Sequence, residues 1–94
     1  MIANNLIVNY RLSAENAALI NKRRSESTAA PVMGGQLHDG NEAREGQILP
    51  MVITTIWSDT LVNGQVFLDG NDSFWATSVA QGNEPGNWNY FMCD

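Results

Sequence analysis

The chain has one cysteine in 94 residues, Cys93, so it can form no disulfide within itself, and a zinc site built on several thiolates is excluded. It also has one histidine, His38, in a glycine-rich stretch beside Asp39. Adjacent residues seldom aim at one atom, so this pair reads as a surface loop, and no metal site is expected. Five Lys and Arg stand against ten Asp and Glu, for a net charge of −5. Five bases cannot neutralise the run of phosphates that holds a protein on a long nucleic acid, although a single small anion stays within reach. No stretch approaches the ~18 apolar residues of a membrane span. The opening Met1-Ile2-Ala3-Asn4-Asn5 lacks the basic flank and apolar core of an export signal, so a reducing cytoplasm is the expected setting. No glycine-rich phosphate loop leads into Lys-Ser or Lys-Thr, and no nucleophile stands with a base. The chain therefore reads as a non-enzyme with no cofactor.

Charged residues make up 16 % and apolar residues 44 % of the sequence, a balance that folds and does not stay disordered. The length allows one domain, residues 1–94. Charge is unevenly spread: Arg11, Lys22, Arg23, Arg24 and Arg44 all precede residue 46, whereas Asp59, Asp69, Asp72, Glu84 and Asp94 leave the second half without a base.

The pattern of residue types predicts an α+β fold, an N-terminal helix followed by a small antiparallel β-meander or barrel of four or five strands. Residues 1–30 read as an N-terminal arm and helix, 31–46 as a loop and 47–94 as the barrel. Asn5 to Tyr10 has the β-branched and aromatic character of an edge strand or extended arm. Ser13 is placed to cap a helix over about 13 to 26, with Glu15 in its first turn and Lys22, Arg23 and Arg24 closing it, where the helix dipole favours cations. Pro31, Gly34-Gly35 and Asp39-Gly40-Asn41 mark the loop. Strands are predicted over Gln47–Trp57, Leu61–Leu68, Ser73–Val79 and Asn87–Met92. Asp69-Gly70-Asn71-Asp72 is a reversal whose Gly and Asn tolerate positive φ, and it has too few spaced oxygens for a calcium loop.

Two features carry chemistry. Lys22-Arg23-Arg24 gathers three of the five cations, and guanidinium forks suit phosphate oxygens. Trp57, Trp75 and Trp88, with Phe67, Phe74, Tyr90 and Phe91, crowd the β half, where Phe74 and Trp75 must point to opposite faces of one strand. An outward ring there can stack on a base.

The order of motifs resembles a family of small tailed-bacteriophage proteins. It runs from Leu12-Ser13-Ala14-Glu15 through Ile20-Asn21-Lys22-Arg23-Arg24 and His38-x-Gly40-Asn41 to Gly46-Gln47-x-x-Pro50-Met51-Val52-Ile53. The most specific part is Val62-Asn63-Gly64-Gln65-Val66-Phe67-Leu68-Asp69-Gly70-Asn71-Asp72-x-x-Trp75-Ala76-Thr77-Ser78, and Pro85-Gly86-x-Trp88 completes it over residues 12 to 88. Family members end soon after that Trp in a basic Pro-Arg tail, where this chain has Asn89 to Asp94. The resemblance implies a phage protein made in the host bacterial cytoplasm. For such a protein without catalytic residues, the expected role is anti-defence: binding and sequestering a host immune signalling nucleotide, of the cyclic dinucleotide or cyclic ADP-ribose type, without cleaving it. Lys22, Arg23, Arg24 and Arg44 would face phosphates, Trp75 would stack on a base, and Asn41, Asn71, Thr77 and Ser78 would bond ribose or base edges. The alternative is a direct protein inhibitor of a host defence enzyme or a small virion accessory protein. A short chain encloses such a ligand poorly, so a homo-oligomer is expected, with the basic helix of one copy facing the barrel of another.

Overall fold

A computed structural model describes residues 2–29 and 39–92. His38, Cys93 and the Pro31 and Gly34-Gly35 loop signals lie outside them. The elements run β1 (Ile7–Arg11), α1 (Ala14–Ala29), β2 (Ile48–Ile56), β3 (Leu61–Phe67), β4 (Ser73–Ala80) and β5 (Trp88–Asn89). Every strand pair is antiparallel, and the sheet order is β4-β3-β2-β1-β5. The architecture is the expected one, a helix with a curled antiparallel sheet that makes a half-barrel.

Three elements depart from expectation. The first strand is no arm or edge: β1 sits between β2 and β5 and bonds to both. Helix α1 runs on to Ala29, because Ser25 to Ala29 contains neither Gly nor Pro to stop it. Lys22, Arg23 and Arg24 consequently lie mid-helix, no basic residue occupies the last turn, and the dipole argument for them lapses. The final strand is two residues long, and Phe91 beyond it is 79 % exposed.

The helix start forms as its sequence dictates. Ser13 Oγ accepts from Asn16 N at 3.0 Å while Asn16 Oδ1 accepts from Ser13 N at 3.3 Å, a reciprocal cap. Ala17, Ile20 and Arg24, three and four residues apart, form the buried stripe of the helix. Inward side chains of the sheet meet Ala17 and Ile20 in one core, including Val8, Tyr10, Met51, Ile53, Val66 and Ala76.

Curling comes from two irregularities around one buried polar residue. β2 carries an extra residue between Ile53 and Thr55, and β4 carries one opposite Asn63, between Ala76 and Val79. At the second, Ser78 takes a left-handed φ of 52°. Asn63 Oδ1 satisfies both disturbed strands, accepting from Ser78 N at 2.8 Å and Trp57 Nε1 at 3.0 Å. Such bulges bend and twist a sheet, and here the last strand comes round to meet β4. Gln81 bridges Trp88, Gly82 N donates to Trp88 O at 2.9 Å, and the fully buried Trp88 ring donates Nε1–H to Thr60 O at 2.9 Å. The rest of the seam between β4 and β1 stays open to the helix.

Gly64 lets the tight interior close. A Cβ there would lie 2.5 Å from Met51 Cγ, 2.6 Å from its sulfur and 2.9 Å from Val52 O, and the last of these is backbone that cannot swing aside. Gly64→Ala is therefore expected to destabilise by about 1–3 kcal/mol as an overpacked core. The check is a lower urea midpoint with unchanged slope.

Candidate functional site

The three helical cations have separate fates. Arg24 turns inward and binds Asp72, the last residue of the β3–β4 turn, as a fork: Nε donates to Oδ2 at 3.1 Å and Nη2 to Oδ1 at 2.9 Å. Its Nη1 donates to Asn41 O. Only 9 % of the Arg24 side chain and 1 % of the Asp72 side chain are exposed. Arg23 adds a bond from Nη2 to Asp72 Oδ2 at 3.1 Å and another to Ser73 O at 2.9 Å, yet its Nε is buried with no hydrogen-bond partner. Lys22 is exposed and pairs loosely with Glu26 at 3.8 Å. Burial pushes the Asp72 carboxyl up, but the hydrogen bonds and charges of Arg24 and Arg23 outweigh it and hold the pKa below its ordinary 3.8. The expectation that Arg24 faces a ligand phosphate is thus corrected: a guanidinium spent on a buried carboxylate of its own chain is a staple between α1 and the barrel. Through this staple the basic helix is bound to its own barrel.

Beside the staple runs a groove of about 330 Å³ lined by Leu19, Ile20, Lys22, Arg23, Glu26 and Phe74. It lies between α1 and the start of β4. Phe74 also borders a smaller cleft of about 180 Å³, reached by Tyr10, Asn16, Trp75, Thr77, Ser78 and Gly86. The two hollows follow the open seam of the half-barrel. Within the cleft Tyr10 OH donates to Asn16 Oδ1 at 2.5 Å, and burial raises the Tyr10 pKa, keeping the phenol a donor. The seam thus offers two cations and one aromatic ring at one end, and hydroxyls with an amide at the other.

Other predicted residues lie apart from the cations. Trp75, 63 % exposed, borders the smaller cleft with Thr77 and Ser78 but not the groove of the cations, while Phe74 turns toward the core and is the ring beside Lys22 and Arg23. Arg44 belongs to a separate hollow with Glu45, Gly46, Gln47 and Ile48. Asn41 and Asn71 come together, but through turn pairing. The tripeptides Asp39-Gly40-Asn41 and Asp69-Gly70-Asn71 lie face to face, with Asn41 N donating to Asp69 O and Asn71 N to Asp39 O, both at 2.8 Å. Asn71 Oδ1 accepts from Asp39 N at 2.8 Å, and Asn41 Nδ2 donates to Asp69 Oδ2 at 2.9 Å. Both amides are engaged in holding the turns. Among the described residues no three His, Cys, Asp or Glu side chains gather as a metal centre would need, and no helix is long and apolar enough to cross a membrane.

Asp72, Phe74, Tyr10 and Asn16 are not among the ligand residues expected from the sequence. The repeated Asp-Gly-Asn was the available signal for the turn pair that carries Asp72 toward the helix, whereas nothing local distinguished Phe74 from Trp75 as the seam residue. No family model matches the chain, and neither a curated protein nor a solved structure resembles it significantly.

Proposed function

We propose that this chain is a non-catalytic binding protein for a small nucleotide-type anion held along the β4 seam. The observation that carries the reading is the groove where Lys22 and Arg23 stand beside Phe74, continuous through that ring with the Tyr10, Asn16, Thr77 and Ser78 cleft. The groove is of the size at which small-molecule sites begin. Arg23, whose side chain is 35 % exposed, and the exposed Lys22 ammonium line the groove on the side where a phosphate would sit; Phe74 offers a face to a base. With the resemblance to phage proteins, the ligand is a host immune signalling nucleotide of the cyclic dinucleotide or cyclic ADP-ribose type. The chain acts in the host cytoplasm by sequestering it intact.

The test is calorimetric titration of the full chain with a panel of cyclic dinucleotides and cyclic ADP-ribose isomers, followed by chromatography of the nucleotide released on heating. Micromolar or tighter binding of at least one member, recovered unaltered, is expected. Arg23→Gln should weaken it about ten- to a hundredfold, the loss of one charge-assisted phosphate bond worth roughly 1.5–3 kcal/mol. The Arg24–Asp72 fork remains, so the fold is expected to hold. Absence of binding to every member overturns the reading in favour of a direct protein inhibitor; recovery of a cleaved product overturns the non-catalytic part.

A further inference from the structure

The smaller seam cleft holds a side chain whose polarity the fold fixes. Asn16 Oδ1 accepts two hydrogen bonds, from Tyr10 OH at 2.5 Å and from Ser13 N at 3.3 Å. A backbone N–H can only donate, so the amide oxygen must lie on the Ser13 side and the group cannot turn over. Both lone pairs of that oxygen are then taken. What Asn16 has left for the cleft is Nδ2, whose two N–H donors have no hydrogen-bond partner among the described residues. At this half-buried side chain the cleft donates and does not accept.

Size and position say what meets those donors. At about 180 Å³ the cleft is smaller than the ~300 Å³ at which pockets for whole ligands begin, so it takes one part of a ligand whose remainder lies along the seam. β4 ends the sheet, and Phe74 and Trp75, on opposite faces of that strand, both border the cleft from its free edge. Aromatic walls suit a flat ring. Thr77 and Ser78 bring hydroxyls, which rotate to donate or accept and so set no preference. Given the proposed reading of the seam as a nucleotide site, we infer that this cleft is the base pocket and that Asn16 makes it selective for guanine over adenine. Guanine presents two adjacent acceptors on one edge, O6 and N7, whereas adenine sets an N6 amino donor beside its N7. The two Nδ2–H groups match the guanine pair. An Asn free to turn reads adenine by accepting from N6 and donating to N7, but here the oxygen for N6 is occupied by Tyr10 and Ser13.

The test is calorimetric titration of the full chain with cyclic di-GMP, cyclic di-AMP and cyclic di-IMP, which differ only in their bases. The last keeps O6 and N7 and lacks the exocyclic amino group of guanine. Cyclic di-GMP and cyclic di-IMP are expected to bind alike, each roughly ten- to a hundredfold tighter than cyclic di-AMP. Asn16→Asp is isosteric: it keeps an oxygen for Ser13 N and Tyr10 OH, so the helix start holds, and it puts an acceptor where Nδ2 stood. This variant should lose affinity for cyclic di-GMP and reverse the order, with cyclic di-AMP the tighter of the two. A purely structural role for Asn16 would weaken both nucleotides equally and leave their order unchanged, and that result overturns the inference. The ranking by the wild-type chain decides the matter even where the variant misfolds. Equal or tighter binding of cyclic di-AMP, or binding confined to cyclic ADP-ribose isomers, overturns guanine selection and leaves the sequestration reading standing. Cyclic di-IMP ranking with cyclic di-AMP overturns the O6 and N7 contact. Binding of no nucleotide overturns both the sequestration reading and the base pocket.

Discussion

Replacing Asp72 by Ala is expected to lower the stability of the fold by about 3–5 kcal/mol, because it leaves the buried Arg24 guanidinium charged and unpaired. Arg24→Gln should cost a similar amount by stranding the carboxylate. The two losses will not add, since either change removes the same fork. Arg23→Gln should cost much less: its side chain is 35 % exposed, and Asp72 keeps both bonds from Arg24. Urea unfolding of the three variants orders them. Equal losses for Arg23→Gln and Arg24→Gln would mean that the inward placement of Arg24 is wrong. A pH series provides a second, signed test. The folded-state pKa of Asp72 is depressed, so the native protein binds this proton less readily than the unfolded chain. The contribution of Asp72 is complete above the ordinary value of 3.8 and erodes as pH falls below it toward the folded value. Stability should therefore fall on acidification below about pH 4, and Asp72→Asn, lower at neutral pH, should show a flatter acid limb.

The residues that decided the fold class acted locally, and so could be read from the sequence. Alternation of Met51, Ile53 and Val52 in β2, of Val62, Gly64 and Val66 in β3, and the cap at Ser13 need only nearest neighbours to express themselves. The opposite facing of Phe74 and Trp75 followed from the strand period alone, and the burial of the two residues differs as that period requires. What escaped was settled by distant partners. Arg24 looks like any solvent-facing helical cation until Asp72, 48 residues away, is brought beneath it. β1 becomes an inner strand only because β5, some 80 residues later, returns to its free side. The ligand residues were grouped by chemical type, and the fold distributes them by face: Trp75 outward, Arg44 at a separate hollow, Asn41 and Asn71 in a turn pair, Lys22 and Arg23 at the seam.

The turn pair gives the other large effect, expected at Gly70. Glycine was read there as a source of positive φ for a hairpin, but neither Gly70 nor Asn71 has positive φ. Glycine is required by close approach instead. A Cβ on Gly70 would collide with Asp39 O, and it would sit 2.7 Å from Gly40 Cα and 2.9 Å from Arg24 Nη2. The Gly40 position is the mirror case, with Asp69 O at 2.5 Å and Gly70 Cα at 2.6 Å. Two backbones meet where neither can carry a side chain, and no rotamer change relieves a clash with backbone. Gly70→Ala must push the 39–41 segment away, straining or breaking the four bonds between the tripeptides and withdrawing Asn41 O from Arg24. At about 0.5–1.5 kcal/mol for each bond lost, the change should cost roughly 2–4 kcal/mol. Asn71→Ala, which deletes the side-chain acceptor for Asp39 N, should cost about 1 kcal/mol. Hydrogen exchange locates the damage: in Gly70→Ala the Asn41 and Asn71 amides should lose protection while the Met51 and Val66 amides of the inner strands keep theirs. Uniform loss of protection at all four amides would mean that the turn pair and the sheet open together, and that Gly70 supports the whole barrel and not one edge of it.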